Sequence, residues 1–342
     1  MNNLKIVFPA EWAEQSGVML TWPHEETDWA GMLDEVEGSF IAIAKAISER
    51  EKLLIVCRDS RLLKDKLRNC LTENIIFAEL PSNDTWARDH GAITVMIGDD
   101  LTLYDFTFNG WGMKFAANCD NQITSSLYNI GFFREGIHYE NKMQLVLEGG
   151  SIESDGEGTL LTTRECLLSK NRNQFLTEAE IEKQLIGLFG LRQVHWLSSG
   201  YLAGDDTDSH IDTLARFCDS QTIAYVKCDD EKDEHFGALH LMERELSSFR
   251  TLKNKPYHLI PLPMADAVFD GEQRLPATYA NFLIINKAVL VPFYNSHKDK
   301  IAGVQLQKAF PGREIIGIDC QPLIKQNGSL HCVTMQFPKG VI

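Results

Sequence analysis

Ile152-Glu153-Ser154-Asp155-Gly156-Glu157-Gly158-Thr159-Leu160-Leu161-Thr162-Thr163, with Thr177-Glu178-Ala179-Glu180-Ile181 a little further on, is the stretch that decides the fold class. Asp155-Gly156 lies between Ile152 and Leu160 and reads as a hairpin turn, because an Asp-Gly pair accepts the positive φ that tight turns need. Thr159–Thr163 is a short run of β-branched and apolar residues, hence a strand. Thr177 reads as a helix N-cap, and Glu180 three residues on completes a capping box. Ile181, Leu185, Leu188 and Phe189 then line one helix face, and Gly190 can close the helix. A hairpin followed by an amphipathic helix indicates a mixed α/β architecture. A calcium loop is the competing reading of Glu153-x-Asp155, but the other ligand positions of such a loop are missing.

Working outward, the same alternation continues along the 342 residues. Lys52–Cys57, Ala92–Ile97, Gln144–Leu147, Thr222–Lys227, Phe282–Ile285, Ala288–Pro292, Glu314–Ile318 and Cys332–Gln336 are further strand candidates, mostly rich in Val, Ile and Leu. Leu33–Glu49 places Val36, Phe40, Ile43, Ala44 and Ile47 on one helix face; Glu234–Ser248 and Lys298–Ala309 are further helices. No Pro/Gly/Ser linker, composition break or exact repeat divides the chain, so residues 1–342 are read as one domain. Hydrophobic residues make up 44%, enough for a substantial core, and the net charge is −15. That field repels nucleic acid and anionic membrane and attracts small cations. Met1 to Ala10 is too short an apolar run for a signal peptide, and no stretch has the length of a membrane span. The eight cysteines form no Cys-x-x-Cys, so a reduced, cytoplasmic setting fits best.

Four motifs carry chemistry. Cys332 stands in Gly328-Ser329-Leu330-His331-Cys332-Val333-Thr334. A lone cysteine in an apolar strand is usually a small buried hydrophobe. As a nucleophile it needs a base, and His331 is a poor one, because neighbours on an extended backbone face opposite ways. His210 in His210-Ile211-Asp212 is the better candidate; if that segment is extended, His210 and Asp212 enter one cavity together. A surface loop and a metal site are the alternatives for this aspartate-rich string, Asp205 to Asp212. Asp89 follows Trp86-Ala87-Arg88, where Trp86 is either core or pocket wall and Arg88 a structural ion-pair partner. Glu148 precedes Gly149-Gly150, which allow close backbone approach. Buried there, it needs a partner, and an imidazole Nδ1–H is a good one. Asp89 and Asp212 can together flank a planar guanidinium with charge-assisted hydrogen bonds. The thiolate of Cys332 then attacks the central carbon, and His210 protonates the leaving ammonia and later activates water. This chemistry needs no metal or organic cofactor.

Taken together and in order, these motifs resemble the agmatine deiminases, within the wider guanidine-modifying superfamily of arginine and peptidylarginine deiminases. The resemblance also rests on Thr21-Trp22-Pro23-His24, Asn83-Asp84-Thr85-Trp86-Ala87-Arg88-Asp89, Phe108-Asn109-Gly110-Trp111-Gly112, Leu147-Glu148-Gly149-Gly150 and Arg274-Leu275-Pro276-Ala277-Thr278-Tyr279, and runs almost end to end. It implies a pseudo-fivefold α/β propeller of ββαβ units, the pentein fold, around a central acidic pocket. It implies Cys332 as nucleophile, a transient amidino-cysteine, His210 as general acid/base with Glu148 its partner, Asp89 and Asp212 as guanidinium clamp, Trp86 as pocket wall and Asp206 near the substrate's distal amine. It departs from the family pattern at His24-Glu25-Glu26, where an arginine is frequent, and at Asn327-Gly328, where a glycine pair is frequent.

The leading expectation is hydrolysis of agmatine, a small cationic guanidine, to N-carbamoylputrescine and ammonia, a step of putrescine biosynthesis. Arginine would require a cationic clamp for its carboxylate, and only Arg88 and Arg216 lie near the motifs. Deimination of peptidylarginine, a catalytically silent polyamine-binding protein and a metal-dependent hydrolase on the aspartate string are the alternatives. A homodimer is compatible with base rates, with no interface motif legible.

Overall fold

A computed structural model describes residues 4–342. Its strands form six sheets, and five of them repeat one connection pattern: a strand pairs antiparallel with the next, which pairs parallel with a third. In the sheet holding strand Gln15–Thr21, the antiparallel partner is Thr334–Pro338, and the parallel partner Lys52–Cys57 is itself flanked by Ile75–Glu79. The others are Ile93–Ile97, Asp100–Thr107 and His138–Val146; Ile152–Ser154, Thr159–Thr163 and Gln193–Leu197; Ala215–Asp219, Thr222–Lys227 and His258–Pro263; and Leu283–Ile285, Ala288–Phe293 and Glu314–Asp319. A parallel partner needs a crossover, and helices Leu33–Ser48, Glu178–Phe189, Phe236–Ser248 and Lys298–Ala309 supply four of the five. Each sheet is open; among the described residues no strand pairs one sheet to another.

The central strand of these sheets is covered on both faces, and Thr159–Thr163 is buried along its whole length. That is why the sequence shows continuous apolar runs rather than alternation. On helix Leu33–Ser48, Val36, Phe40, Ile43, Ala44 and Ile47 are fully buried, the face that the 3.6-residue period selects. The capping box at Thr177 and Glu180 is formed, with the Thr177 backbone N–H donating to Glu180 Oε2 at 2.8 Å, and Gly190 ends the helix at φ 65°. The Asp155-Gly156 turn is formed too. Asp155 Oδ1 accepts from the backbone N–H of Glu157 and Thr159 at 2.8 and 2.7 Å. That oxygen is thereby satisfied as a turn acceptor, and Glu153 pairs with the buried Arg216, so the stretch is built as a hairpin turn and not as a calcium loop.

Two local expectations change. His210-Ile211-Asp212 is not extended: Ile211–Thr213 is a single 3-10 turn, closed by Thr213 Oγ1 donating to the His210 carbonyl at 2.8 Å. Cys332 is not inside a strand: the strand begins at Thr334, and Cys332 stands on the turn before it. Asp89 too stands on a turn: Trp86 to His90 form a cap and a helical turn, Ala87–His90. All three are tight turns held by side-chain and tertiary hydrogen bonds, which apolar periodicity does not encode. Among the described residues no helix is long and apolar enough to cross a membrane.

Candidate active site

The pairing of Thr334–Pro338 with Gln15–Thr21 joins the C-terminal strand to the N-terminal part of the chain and holds the Cys332 turn just before it in a buried position. There the backbone N–H of Arg88 donates to the Cys332 carbonyl at 3.1 Å, tying the turn to helix Ala87–His90. Asn281 fixes the turn from the other side. Its Oδ1 accepts from the backbone N–H of His331 at 2.8 Å and of Cys332 at 3.3 Å, and lies 3.4 Å from the Cys332 sulfur. Its amide donates to the Asp212 carbonyl at 3.3 Å. One asparagine thus links the cysteine turn to the Asp212 turn.

Asp89, His210 and Asp212 converge on one point, the α-carbon of Gly150. A methyl group placed there would lie 2.6 Å from His210 Nδ1, 2.9 Å from Asp89 Oδ1 and 3.2 Å from Asp212 Oδ2. Only glycine leaves room for all three. Asp89 is oriented by the Gly150 backbone N–H and the Trp111 indole N–H, each donating at 3.0 Å. Asp212 Oδ2 lies 4.0 Å from the Cys332 sulfur and 2.7 Å from His331 Nδ1, while its Oδ1 has no partner. His210 is fully buried with both ring nitrogens unpartnered, 3.7 Å from Asp89 Oδ1 and 4.0 Å from Glu148 Oε2. Glu148 therefore does not accept a hydrogen bond from His210 Nδ1–H. Its partner is Arg172, whose Nε reaches both carboxylate oxygens at 2.9 and 3.0 Å. Arg172 also pairs with Asp208 and donates to the Thr207 carbonyl at 2.9 Å. A buried carboxylate is satisfied more completely by a guanidinium than by one imidazole N–H.

Cys332 and Asp89 border a pocket of about 400 Å³, walled by Trp86, Trp111 and Phe115 and edged by Asp28, Asp84 and Asp206. Trp86 packs edge-on to Trp111, with ring centroids 6.1 Å apart. Gly328 allows the Trp86 ring against its backbone, since a β-carbon there would sit 2.0 Å from a ring carbon. Asn327 holds φ 64°, a left-handed conformation that asparagine tolerates better than most residues. Its amide donates to Asp206 Oδ2 at 3.2 Å. His24-Glu25-Glu26 lies outside this pocket: His24 Nε2 is 3.1 Å from Ser82 Oγ, and Glu26 pairs with Arg58 on the surface.

The electrostatics of the empty pocket favour neutral groups. Burial, then the neighbouring Glu148, pushes Asp89 up to about 7. Burial, then Asp89, pushes Asp212 well above the usual carboxylate range. Burial, then Asp212 and Asp89, raises the Cys332 thiol well above its ordinary value, and burial, then Arg172, keeps His210 neutral. At the rim, burial and Asp28 raise Asp84 to about 7, and burial and Asp205 raise Asp206 to about 6. A cation of fitting shape would reverse the shifts of the acids and the thiol, by favouring carboxylate and thiolate, and would keep His210 neutral.

Two buried triads gather metal-type donors within 4.8 Å, Glu148 with Cys166 and His210, and Glu11 with Glu153 and His331. Both positions are already compensated by a guanidinium: Arg172 on Glu148, Arg216 on Glu11 and Glu153. The aspartate string does not converge either. Asp205 accepts from Thr207 Oγ1 and the Ser209 backbone N–H at 2.6 and 2.8 Å, while Asp208 faces Lys114 and Arg172. These donor sets fit buried ion pairs, not a cation cage.

The structure thus brings Cys332, His210, Asp89 and Asp212 together, puts Trp86 and Asp206 on the pocket wall, and sets Glu148 behind His210. Sequence reasoning assigned nothing to Asn281, Arg172 or Trp111. Trp111, flanked by Gly110 and Gly112 and itself at φ 54°, had a signal in its glycine-framed motif; Asn281 and Arg172 had none.

A dimethylarginine dimethylaminohydrolase, 12% identical, superposes with a TM-score of 0.52 over 94% of this chain and 100% of its own, a likeness of fold alone. The chain belongs to the Porphyromonas-type peptidyl-arginine deiminase family, whose profile matches residues 7–338. A Porphyromonas gingivalis protein solved under the provisional name arginine deiminase is 55% identical, with a TM-score of 0.96 over 99% of this chain and 100% of its own. An agmatine deiminase of C. jejuni, solved as a cysteine-to-serine variant with substrate bound, is 41% identical, with a TM-score of 0.92 over 100% and 99%. A Yersinia pestis protein provisionally named agmatine deiminase is 32% identical over 96% of this chain and 94% of its own.

Proposed function

We propose that this protein is a guanidine deiminase acting on agmatine, giving N-carbamoylputrescine and ammonia. The observation that carries this reading is the convergence of Asp89, Asp212 and His210 on Gly150, next to the Cys332 sulfur. Asp89 and Asp212 hold the guanidinium of the substrate, and its positive charge lowers the Cys332 thiol, which is neutral in the empty pocket. The Cys332 thiol gives its proton to His210 and the sulfur attacks the guanidinium carbon, forming a C–S bond; His210 passes that proton to one nitrogen, whose C–N bond breaks as it leaves as ammonia. Water then adds to the amidino-cysteine, giving its proton to His210; the C–S bond breaks, and the ureido product and the thiol are released. Glu148, 4.0 Å from His210 and anchored by Arg172, stabilises the imidazolium that forms.

Agmatine is favoured over arginine by the lining. Among the described residues that border the pocket there are four aspartates and no arginine or lysine, so a distal ammonium is welcome and a carboxylate is not. Arg88 and Arg216 lie in the ion-pair network beneath the pocket, around Glu11. Asp206, on the rim, takes the distal amine in this reading. The family's name favours a second reading, deimination of peptidylarginine. We further read residues 1–342, of which 1–3 lie outside the described residues, as one cytoplasmic catalytic domain. In it the five sheets of common topology stand as blades of a pseudo-fivefold propeller, around the point where Cys332 and Gly150 meet.

The test measures ureido product from agmatine, arginine and a blocked arginine peptide, with and without EDTA. Agmatine should give the highest kcat/KM, unaffected by chelator, and Cys332→Ser should abolish turnover while agmatine still binds. A higher kcat/KM for the peptide overturns the substrate, and loss of activity in EDTA restored by a divalent ion overturns the thiol mechanism.

A further inference from the structure

We infer that Asp212, His331 and Glu11 form a proton relay, in which His331 takes the Asp212 proton when a guanidinium enters the pocket and returns it when the pocket empties. The inference rests on the proposed role of Asp212 as a clamp for the guanidinium. His331, one residue before the nucleophile, has no part in the mechanism above, yet it is buried and held at both ends. Its Nδ1 lies 2.7 Å from Asp212 Oδ2 and its Nε2 2.7 Å from Glu11 Oε2. Neutral imidazole has one N–H and one lone pair, and an ionised carboxylate only accepts. Two such contacts, both to carboxyl oxygens, therefore require one proton beyond a neutral ring between two carboxylates. It resides on the ring as an imidazolium or on one of the acids.

The surroundings decide where it rests. On the Glu11 side, Arg216 donates to Oε2 at 2.8 Å, Arg88 lies 3.7 Å from it, and the Ile284 backbone N–H donates to Oε1 at 2.7 Å; Glu153 beyond pairs with Arg216. Although burial pushes Glu11 up, Arg216, His331 and Arg88 together hold it well below the usual carboxylate range. On the Asp212 side stand Asp89 and Cys332; burial, then Asp89, drives Asp212 up, with Arg88 opposing and Asp205 adding to the rise. Burial, then Arg216 and Arg88, disfavours the imidazolium. In the empty pocket Glu11 is therefore the anion that accepts from Nε2–H, and Nδ1 offers its lone pair to a protonated Asp212.

When a guanidinium stands against Asp212, the balance tips. The Asp212 O–H bond breaks and an Nδ1–H bond forms across the same 2.7 Å contact, with no heavy atom displaced. Asp212 becomes a carboxylate whose unpartnered Oδ1 is free for the substrate, and the imidazolium sits between two anions. The charge of the triad is −1 before and after; only its position changes. Binding then costs no proton release to water from Asp212, which a solitary buried acid would require. His331 acts through Asp212 and is a positioning residue.

Two measurements test the relay. In a Cys332→Ser background, agmatine binding is followed by calorimetry near neutral pH in buffers of differing ionisation heat. His331→Asn keeps a donor toward Asp212 but cannot take up its proton. It should raise the protons released on binding by up to one, and make affinity weaken up to tenfold per pH unit below the Asp212 pKa. An unchanged proton count overturns the relay, since loss of packing alone does not alter that count. Nitrogen-15 spectra of histidine-labelled protein with its native side chains give the second readout, which stands if the variant fails to fold. His331 should carry one ring proton when empty and two with guanidinium ion as the probe, or with agmatine in the Cys332→Ser protein; a bare Nδ1 in the loaded state overturns the relay. If the unmodified protein deiminates no guanidine, the proposed function fails, and the spectra with guanidinium still decide the relay.

Discussion

Replacing Gly150 with alanine adds one carbon atom at the point where the site is assembled. Gly150 is not among the glycines with positive φ, so the backbone accepts alanine and the effect is purely one of space. The new methyl would stand 2.6 Å from His210 Nδ1 and 2.9 Å from Asp89 Oδ1, against an ordinary contact of about 3.5 Å. The imidazole must therefore retreat by roughly 0.9 Å, and Asp89 by somewhat less. A misplacement of about 1 Å in a reacting constellation lowers the rate about 100-fold, whereas overpacking of this kind destabilises a fold by about 1–3 kcal/mol. We expect Gly150→Ala to melt a few degrees lower and to lose about two orders of magnitude in kcat/KM, measured as ureido product from agmatine. Gly149→Ala is the contrasting control. Its methyl would meet the Arg88 carbonyl at 2.2 Å, a backbone atom that cannot move aside, so that variant should lose fold and activity together. A Gly150→Ala protein within about threefold of the parent would refute the convergence of His210, Asp89 and Asp212 as the working geometry.

Gly328→Ala should raise KM about tenfold or more, since its methyl falls within the Trp86 ring and overpacking there costs about 1–3 kcal/mol; an unchanged KM would remove Trp86 from the pocket wall. Glu148→Gln should lower both melting temperature and kcat, because Arg172 loses a bidentate partner and breaking a buried pair costs about 3–5 kcal/mol; a stable, fully active variant would contradict that. The raised Asp89 gives a pH dependence. Between its ordinary 3.8 and about 7 the folded chain holds a proton that the unfolded chain has lost, so this group makes stability fall as pH rises through that window. A bound cation needs the ionised form, so the thermal shift that agmatine produces in Cys332→Ser should grow from about pH 5.5 to about pH 8; a shift that shrinks instead would refute the clamp.

Much of the framework was legible in local sequence. The Thr177–Gly190 helix, the Asp155-Gly156 turn, the Thr159–Thr163 strand and the two C-terminal strands flanking helix Lys298–Ala309 are written in caps, turn residues and apolar runs, each acting within a few residues. The residue types of the site were legible as well, because thiol, imidazole and paired carboxylates stand in short motifs. Two of the peptides that hold them differ from the local reading: Cys332 stands on a turn rather than in a strand, because that turn depends on Asn281, 51 positions away, and the His210 segment closes on its own side chains instead of extending.

What the sequence by itself determined is therefore the alternation of strands and helices and the inventory of reactive groups. Partner choice belonged to the tertiary structure. Arg172 rather than His210 on Glu148, Asn281 between Cys332 and Asp212, and Glu11 behind His331 are contacts across 24, 51 and 320 positions. The physical reason is desolvation: a buried charge must be matched by whichever donor the packed chain brings within about 3 Å, and no local pattern records which one that is.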